Sequence, residues 1–438
     1  MPLAKSRNRS FSDVLELPFG DIDSPKRTTP RASLTADLES FREFGQPTRK
    51  LATSVPAPGG SLLEVPTFVN EFWTAKQRQA SSLHEVSYRA CFKPQLPRFF
   101  IERLTKPGDL VYDPFMGRGT TPVEAALLGR IPVGNDANPL SIVMTRPRLN
   151  PPMLNEVEDR LRQIPLDDPI DLPDDLLAFY HPNTLRSISS LKKHLLRAKS
   201  DGQLDAVDEW IALVGLNRLT GHSNGFFSVY TLPPNQAVSA KSQRKINEKR
   251  NQIPPDRDVA KIILKKTSQL LVDLNQGVRS SLAGVAGRAL LLTGPADNSP
   301  QIESGSVSLV VTSPPFLNVV QYAIDNWLRC WFLGIDPKSV RLTVPHKLEA
   351  WHQAMLAVFG ELHRVLKPGG HIAFEVGEIH GGKTRLEETV LPCGAQAGLK
   401  PLLVVINDQQ FTKTANCWGI DNMARGTNTN RIVVFQKA

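Results

Sequence analysis

"KPGDLVYDPFMGRGTTPVEAALLGRIPVGNDANPL" (residues 106–140) holds one complete folding unit. "DLVYDPF" centres on β-forming apolar residues, the pattern of a short strand buried on both faces. "GRG" is a tight turn of the kind that glycine enters without steric penalty. "TTPVEAALLG" has Thr at the cap, Pro in the first turn and Gly just past the end, the punctuation of a helix. "RIPVGND" is a second strand. Strand, helix and strand make a β-α-β unit, so the two strands are parallel and the crossover is right-handed.

The same alternation returns far downstream. "RALLLTG", "VSLVVTS", "GGHIAFEVG", "PLLVVIND" and "NRIVVFQK" read as strands, and "QYAIDNWLRCWFLG" and "KLEAWHQAMLAVFGELHRVL" as helices. Between the two α/β stretches, "LNEVEDRLRQI", "HPNTLRSISSLKKHLLRA", "AVDEWIALVGLNRL" and "DVAKIILKKTSQLLVDLNQGV" have helical periodicity. The expected organisation is a flexible basic arm over 1–60, a sheet domain from 61–149 and 288–438, and a helical insertion over 150–287. Upstream of the turn, "HEVSYRACFKPQLPRFFIERL" closes with a helix ending near Leu104. The stretch over 220–258, containing "KSQRKINEKR", reads as a polar, basic loop.

With 438 residues, about 41% of them hydrophobic, a sizeable core is available. The formal net charge of +9 suits a polyanionic partner, most simply nucleic acid. The four cysteines are scattered without metal-ligand spacing, so no metal site and a reducing cytosol are expected. No apolar run approaches the length of a membrane span, and the N-terminus has no signal-peptide core.

The chemistry is concentrated at three strand ends. Gly117 and Gly119 open a helix N-terminus that offers free N–H groups to a ligand. Pro122 occupies the third glycine position of a dinucleotide turn, and no Lys follows for a P-loop. With Asp113 before it, the turn suits a nucleoside carrying a charged amino-acid tail. Asp136 ends the second strand, placed to accept hydrogen bonds from both ribose hydroxyls; the plainer reading is a helix cap. The strand "VSLVVTS" stops at two prolines, followed by an aromatic ring. Ser313 Oγ and the Pro314 carbonyl can both accept from an amine on a flat ring, Pro315 adds no competing donor, and Phe316 can stack on the ring face. Two acceptors around such a nitrogen favour the pyramidal form, whose lone pair can attack an electrophilic methyl. The plainer reading is a proline stop.

"DPFMGRGTT" together with "TSPPF" resembles the amino-methyltransferases that use S-adenosylmethionine to modify exocyclic amines of DNA bases. The serine form of the elbow is similar to that of the cytosine-N4 enzymes. The resemblance implies a Rossmann-like methyltransferase sheet, mostly parallel, with helices on both faces and a helical insertion. It implies that Asp113, Pro114, Phe115, Gly117, Gly119, Thr120, Thr121 and Asp136 bind S-adenosyl-L-methionine, with Asp297 in "LLLTGPAD" reaching its adenine amine. Ser313, Pro314, Pro315 and Phe316 are the implied catalytic elbow. Phe316 replaces the commoner Tyr, and Arg118 replaces a small residue and is assigned to DNA phosphate or the cofactor carboxylate. The carbon-5 cytosine enzymes would need a cysteine where Ser313 stands, and Cys393 is read as a loop or core residue.

The expected activity is methylation of cytosine N4 in double-stranded DNA, with the base flipped out of the stack. Adenine N6, tRNA guanine N2 and a non-catalytic nucleic-acid-binding protein are the rivals. Lys241, Arg244, Lys245, Lys249 and Arg250 are the expected phosphate contacts. A restriction endonuclease is a conceivable partner, and a bacterial or archaeal cytosol the expected compartment.

Overall fold

The computed structural model describes residues 33–56, 61–74, 80–89, 91–232, 236–315, 325–337, 340, 345, 347–379, 384–408 and 429–438. Phe316 and most of the Asn-rich stretch before the last strand lie outside them, as do residues 1–32 of the expected arm. The N-terminal elements are α1 (Leu34–Ser40), β1 (Arg49–Pro56), β2 (Leu62–Asn70) and α2 (Gln95–Leu104). The β-α-β unit is β3 (Leu110–Asp113), α3 (Thr120–Leu127) and β4 (Ile131–Asp136), followed by α4 (Leu140–Thr145). The insertion contains α5 (Leu154–Gln163), α6 (Pro182–Ser200), α7 (Ala206–Arg218), α8 (Ala240–Arg250), α9 (Val259–Leu270) and α10 (Gln276–Ala286). The chain then forms β5 (Leu290–Thr293), β6 (Val307–Thr312), α11 (Trp327–Leu333), α12 (Leu348–Val365), β7 (Leu366–Val376), α13 (Leu386–Gln396), β8 (Lys400–Asp408) and β9 (Thr429–Gln436).

The strands make one nine-stranded sheet in the order β1-β2-β8-β9-β7-β6-β3-β4-β5. The pairings β5–β4, β4–β3, β3–β6, β6–β7 and β8–β2 are parallel, while β7–β9, β9–β8 and β2–β1 are antiparallel. It is a mostly parallel sheet with helices on both faces, the Rossmann-like arrangement expected. From β3 the chain moves to β4 on one side and later returns on the other as β6. The crevice at the carboxyl ends of β3 and β6 is therefore the topological switch point, where open α/β sheets bind ligands.

Both faces are covered. Leu309, Val311 and Ala373 pack on Phe99 and Phe100 of α2. Val310, Ile372 and Phe374 point the other way, onto Phe359 and Leu362 of α12 and Val390 of α13. The insertion shares a core with the β-α-β unit: Val157, Leu161, Trp210, Ile211 and Ile263 join Val123, Ala126, Leu140 and Met144.

Two expectations are corrected. The arm is not featureless over 33–60: α1 and β1 lie there, and β1 forms a hairpin with β2 that docks on the β8 edge. Pro66 hid the second strand, because proline in a strand usually marks an edge. Its position is tolerated because β2 meets β8 only from Thr67 onward. The basic stretch of the insertion is also not a loop but helix α8. Ser239 caps it, its Oγ accepting from Ser242 N at 3.2 Å, and Asn251 ends it in the left-handed conformation at φ 46°. With Gln243 alone buried, α8 has no apolar stripe to announce it. Among the described residues no helix is long and apolar enough to cross a membrane.

Candidate active site

Asp113, at the end of β3, holds the glycine turn from inside. Its Oδ1 accepts from Phe115 N at 3.0 Å and from Thr312 Oγ1 of β6 at 2.6 Å. Thr121 is its third partner, and burial raises its pKa from 3.8 to about 7. Thr121 Oγ1 also donates to Val311 O at 3.0 Å. The turn and the elbow are thus sewn together across β3 and β6.

The expected cofactor residues divide into two groups. Asp113, Pro114, Thr120 and Thr121 are buried and act by shaping the turn. Gly119, at φ 76°, is packed so closely that a Cβ would lie 2.1 Å from Thr145 Oγ1. Phe115, Gly117 and Asp136 remain partly open, and Asp297 is exposed beyond β5. Asp136 Oδ2 accepts from Gly117 N and Oδ1 from Asn138 N, both at 2.8 Å. Burial raises its pKa. Each of its oxygens keeps lone-pair capacity for a further donor such as a ribose hydroxyl. The donor set therefore fits a nucleoside cofactor.

At the elbow, Trp351 Nε1 of α12 donates to Pro315 O at 3.1 Å and fixes the second proline. Ser313 hydrogen-bonds the carboxylate of Glu375, and Asn430 Nδ2 of β9 donates to Glu375 Oε1 at 2.9 Å. Glu375 is only 7% exposed, and burial raises its pKa. The sequence reading missed Glu375. The signal was a lone acid near the end of the apolar run "HIAFEVG", beside the elbow strand.

Residues 37–142 match the family profile N6_N4_Mtase, described as DNA methylase. Over that stretch the chain is similar to the DNA amino-methyltransferases. It is 22% identical over 318 residues to the Type II methyltransferase M.BsoBI of Geobacillus stearothermophilus, covering 64% of this chain and 58% of that protein. It is 29% identical to the Type II methyltransferase M1.MboII of Moraxella bovis, over 31% of this chain and 46% of that protein. The chain thus spans about half the length of these two relatives. A DNA modification methylase of Thermus thermophilus, TTHA0409, solved with S-adenosyl-L-methionine, is 21% identical over 31% of this chain and 49% of its own, with a TM-score of 0.20. That superposition is too loose to carry an argument. S-adenosyl-L-methionine is the cofactor of this methyltransferase family.

Residues 82–89 and 91–92 cross over the glycine turn as a strap. A Cβ on Gly117 would lie 3.6 Å from the Tyr88 ring, and Asn138 Nδ2 donates to Tyr88 Oη at 3.3 Å. Arg118, expected on DNA or the cofactor, serves the strap instead. It is 8% exposed and donates to the carbonyls of His84, Val86 and Phe92 and to Thr120 Oγ1. Arg148, fully buried, donates to Leu83 O and Arg118 O, and burial lowers its pKa to about 9. His84 Nε2 bonds Glu124 Oε2 at 2.8 Å within the core. Cys393 is buried in α13 with its thiol pushed up to about 12, the state of an inert core residue.

The five basic residues of α8 are not equivalent. Arg244 is held by Asp174 Oδ2 at 2.9 Å and Asp175 Oδ1 at 3.1 Å. Arg250 lies 3.7 Å over the Tyr230 ring. Lys241, Lys245 and Lys249 recur at four-residue intervals. Among the described residues they have no partner, and they form one open stripe.

Proposed function

We propose that the chain transfers a methyl group from S-adenosyl-L-methionine to the N4 amine of a flipped cytosine in DNA. The observation that carries this reading is the bond from Thr312 Oγ1 to Asp113 Oδ1, 2.6 Å long, which sets the Ser313 elbow against the glycine turn. Gly117, Asp136 and Asp297 would hold the cofactor, which when bound supplies an electrophilic methyl. Ser313 donates its hydroxyl hydrogen bond to Glu375, which leaves its lone pairs free to accept from the target amine. Pro314 O is the second acceptor. Once methylated, the nitrogen is cationic and must lose a proton. Ser313 takes it and passes its own to Glu375, whose burial makes it a stronger base than an ordinary carboxylate. Lys241, Lys245 and Lys249 supply phosphate contacts. Its similarity to Type II methyltransferases supports a restriction–modification setting.

The test is to incubate the protein with DNA and S-adenosyl-L-methionine, digest to nucleosides and weigh them. N4-methylcytosine is expected; 6-methyladenine would keep the chemistry and replace the base. Glu375→Gln should slow single-turnover transfer by about 10²–10⁴-fold, as loss of an acid–base group does. The wild-type rate should fall as pH drops through the raised pKa of Glu375, and the variant should lack that limb. A variant that reacts at the wild-type rate excludes the relay.

A further inference from the structure

The strap, the residues that follow the elbow and the lead-in to α8 meet at one point. Arg89 Nη1, on the strap next to Tyr88, donates to Asp325 Oδ2 at 2.7 Å. Asp325 O in turn accepts from Ala237 N at 3.1 Å. Trp327 Nε1 donates to Val238 O at 3.0 Å, directly before the cap of α8. Arg329, on the next helix, donates to Asn326 Oδ1 and to Ser87 O, both at 2.8 Å. Ala237, in the lead-in to α8, is thus joined to Tyr88 by two hydrogen bonds through Asp325 and by the Tyr88–Arg89 peptide.

The two halves of the strap have different partners. Its first half is fastened by buried groups: Arg118, Arg148 and Glu124. Its second half, from Ser87, ends on the Arg89–Asp325 pair, where Arg89 is 38% exposed and Asp325 11%. This is the end that overlies Gly117 and Asn138. Ser87 N also donates to Asn217 Oδ1 at 2.9 Å, and Arg89 is where this end meets the lead-in to α8, through Asp325 and Gln236 Oε1.

We propose that the Arg89–Asp325 pair couples the two ligands: DNA seated on α8 steadies lead-in 236–239, which through Asp325 and Arg89 holds Tyr88 over the cofactor. Coupling of this kind is reciprocal, since each ligand must change the affinity of the other by the same factor. Arg89 and Asp325 are positioning residues and touch neither ligand. The inference rests on the reading of the cleft as a cofactor site and of α8 as a DNA contact.

The experiment measures the affinity of the full chain for S-adenosylhomocysteine, with and without a saturating duplex, and the affinity for duplex with and without S-adenosylhomocysteine. Wild type should show equal, mutual tightening of about fivefold or more, the usual lower bound for such coupling. Arg89→Met and Asp325→Asn should each bring the factor below about twofold while both ligands still bind. The exchange Arg89→Asp with Asp325→Arg should restore it, which a merely structural loss would not allow. Single variants with wild-type coupling, or a wild type that binds both ligands independently, overturn the inference and leave the functional reading intact. A folded wild type that binds neither removes both.

Discussion

Asp113 shows how one residue can matter to a site without facing its ligand. Its carboxyl accepts from Phe115 N and Thr312 Oγ1, yet burial outweighs these bonds and raises its pKa to about 7. A carboxyl that binds its proton more tightly when folded weakens the fold as pH rises. The loss begins above the unfolded value of 3.8 and is complete once the pH exceeds about 7. Asp113→Asn keeps oxygen acceptance for Phe115 N and Thr312 Oγ1 and does not titrate. Its stability relative to wild type should therefore improve by roughly 2 kcal/mol between pH 5 and pH 8. Urea unfolding of both proteins at the two pH values measures it. A constant difference would mean that Asp113 ionises normally.

At the scale of an element, α8 separates bases that serve the fold from bases left open. Arg244 ties α8 to the turn at Asp174 and Asp175, and Arg250 covers Tyr230. Replacing Lys241 and Lys245 together by Gln should lower the salt dependence of DNA binding by about two in log–log slope, close to one for each phosphate no longer neutralised. Arg244→Gln should leave that slope unchanged. Titrations of a labelled duplex at several salt concentrations distinguish the two. Equal slopes in all three proteins would move the DNA surface away from α8.

For the whole molecule, the N-terminal hairpin lengthens the sheet past β8 and closes its core. Phe68 of β2 is fully buried, and Phe41, after α1, packs its ring 5.1 Å from that of Phe72. Were residues 33–56 part of a flexible arm, Phe41→Ala would change stability by well under ~1 kcal/mol, as exposed substitutions do. The packing predicts a loss of about 3–5 kcal/mol, the range for a large aromatic removed from a core. Chemical denaturation of the full chain decides between them. The shared core of insertion and sheet argues likewise for one cooperative unfolding transition, which the same curves display.

What the sequence determined by itself lies in contiguous runs: the β-α-β unit over 110–136, the buried strands, the helix ending at Leu104, and the proline elbow after Thr312. Each is written in local periodicity and in residues whose backbone geometry is special, so no distant partner is needed to read it. What the tertiary structure decided are matters of partnership. Arg118 could have faced phosphate, and only the carbonyls of the strap folded over it show that it does not. Glu375 becomes part of the elbow because parallel pairing sets Thr312 against Phe374, which brings the next residues side by side. Pro66 is allowed in β2 because its neighbour β8 begins pairing one residue later. Burial, register and the choice of hydrogen-bond partner depend on chain segments far apart in sequence, and no local pattern encodes them.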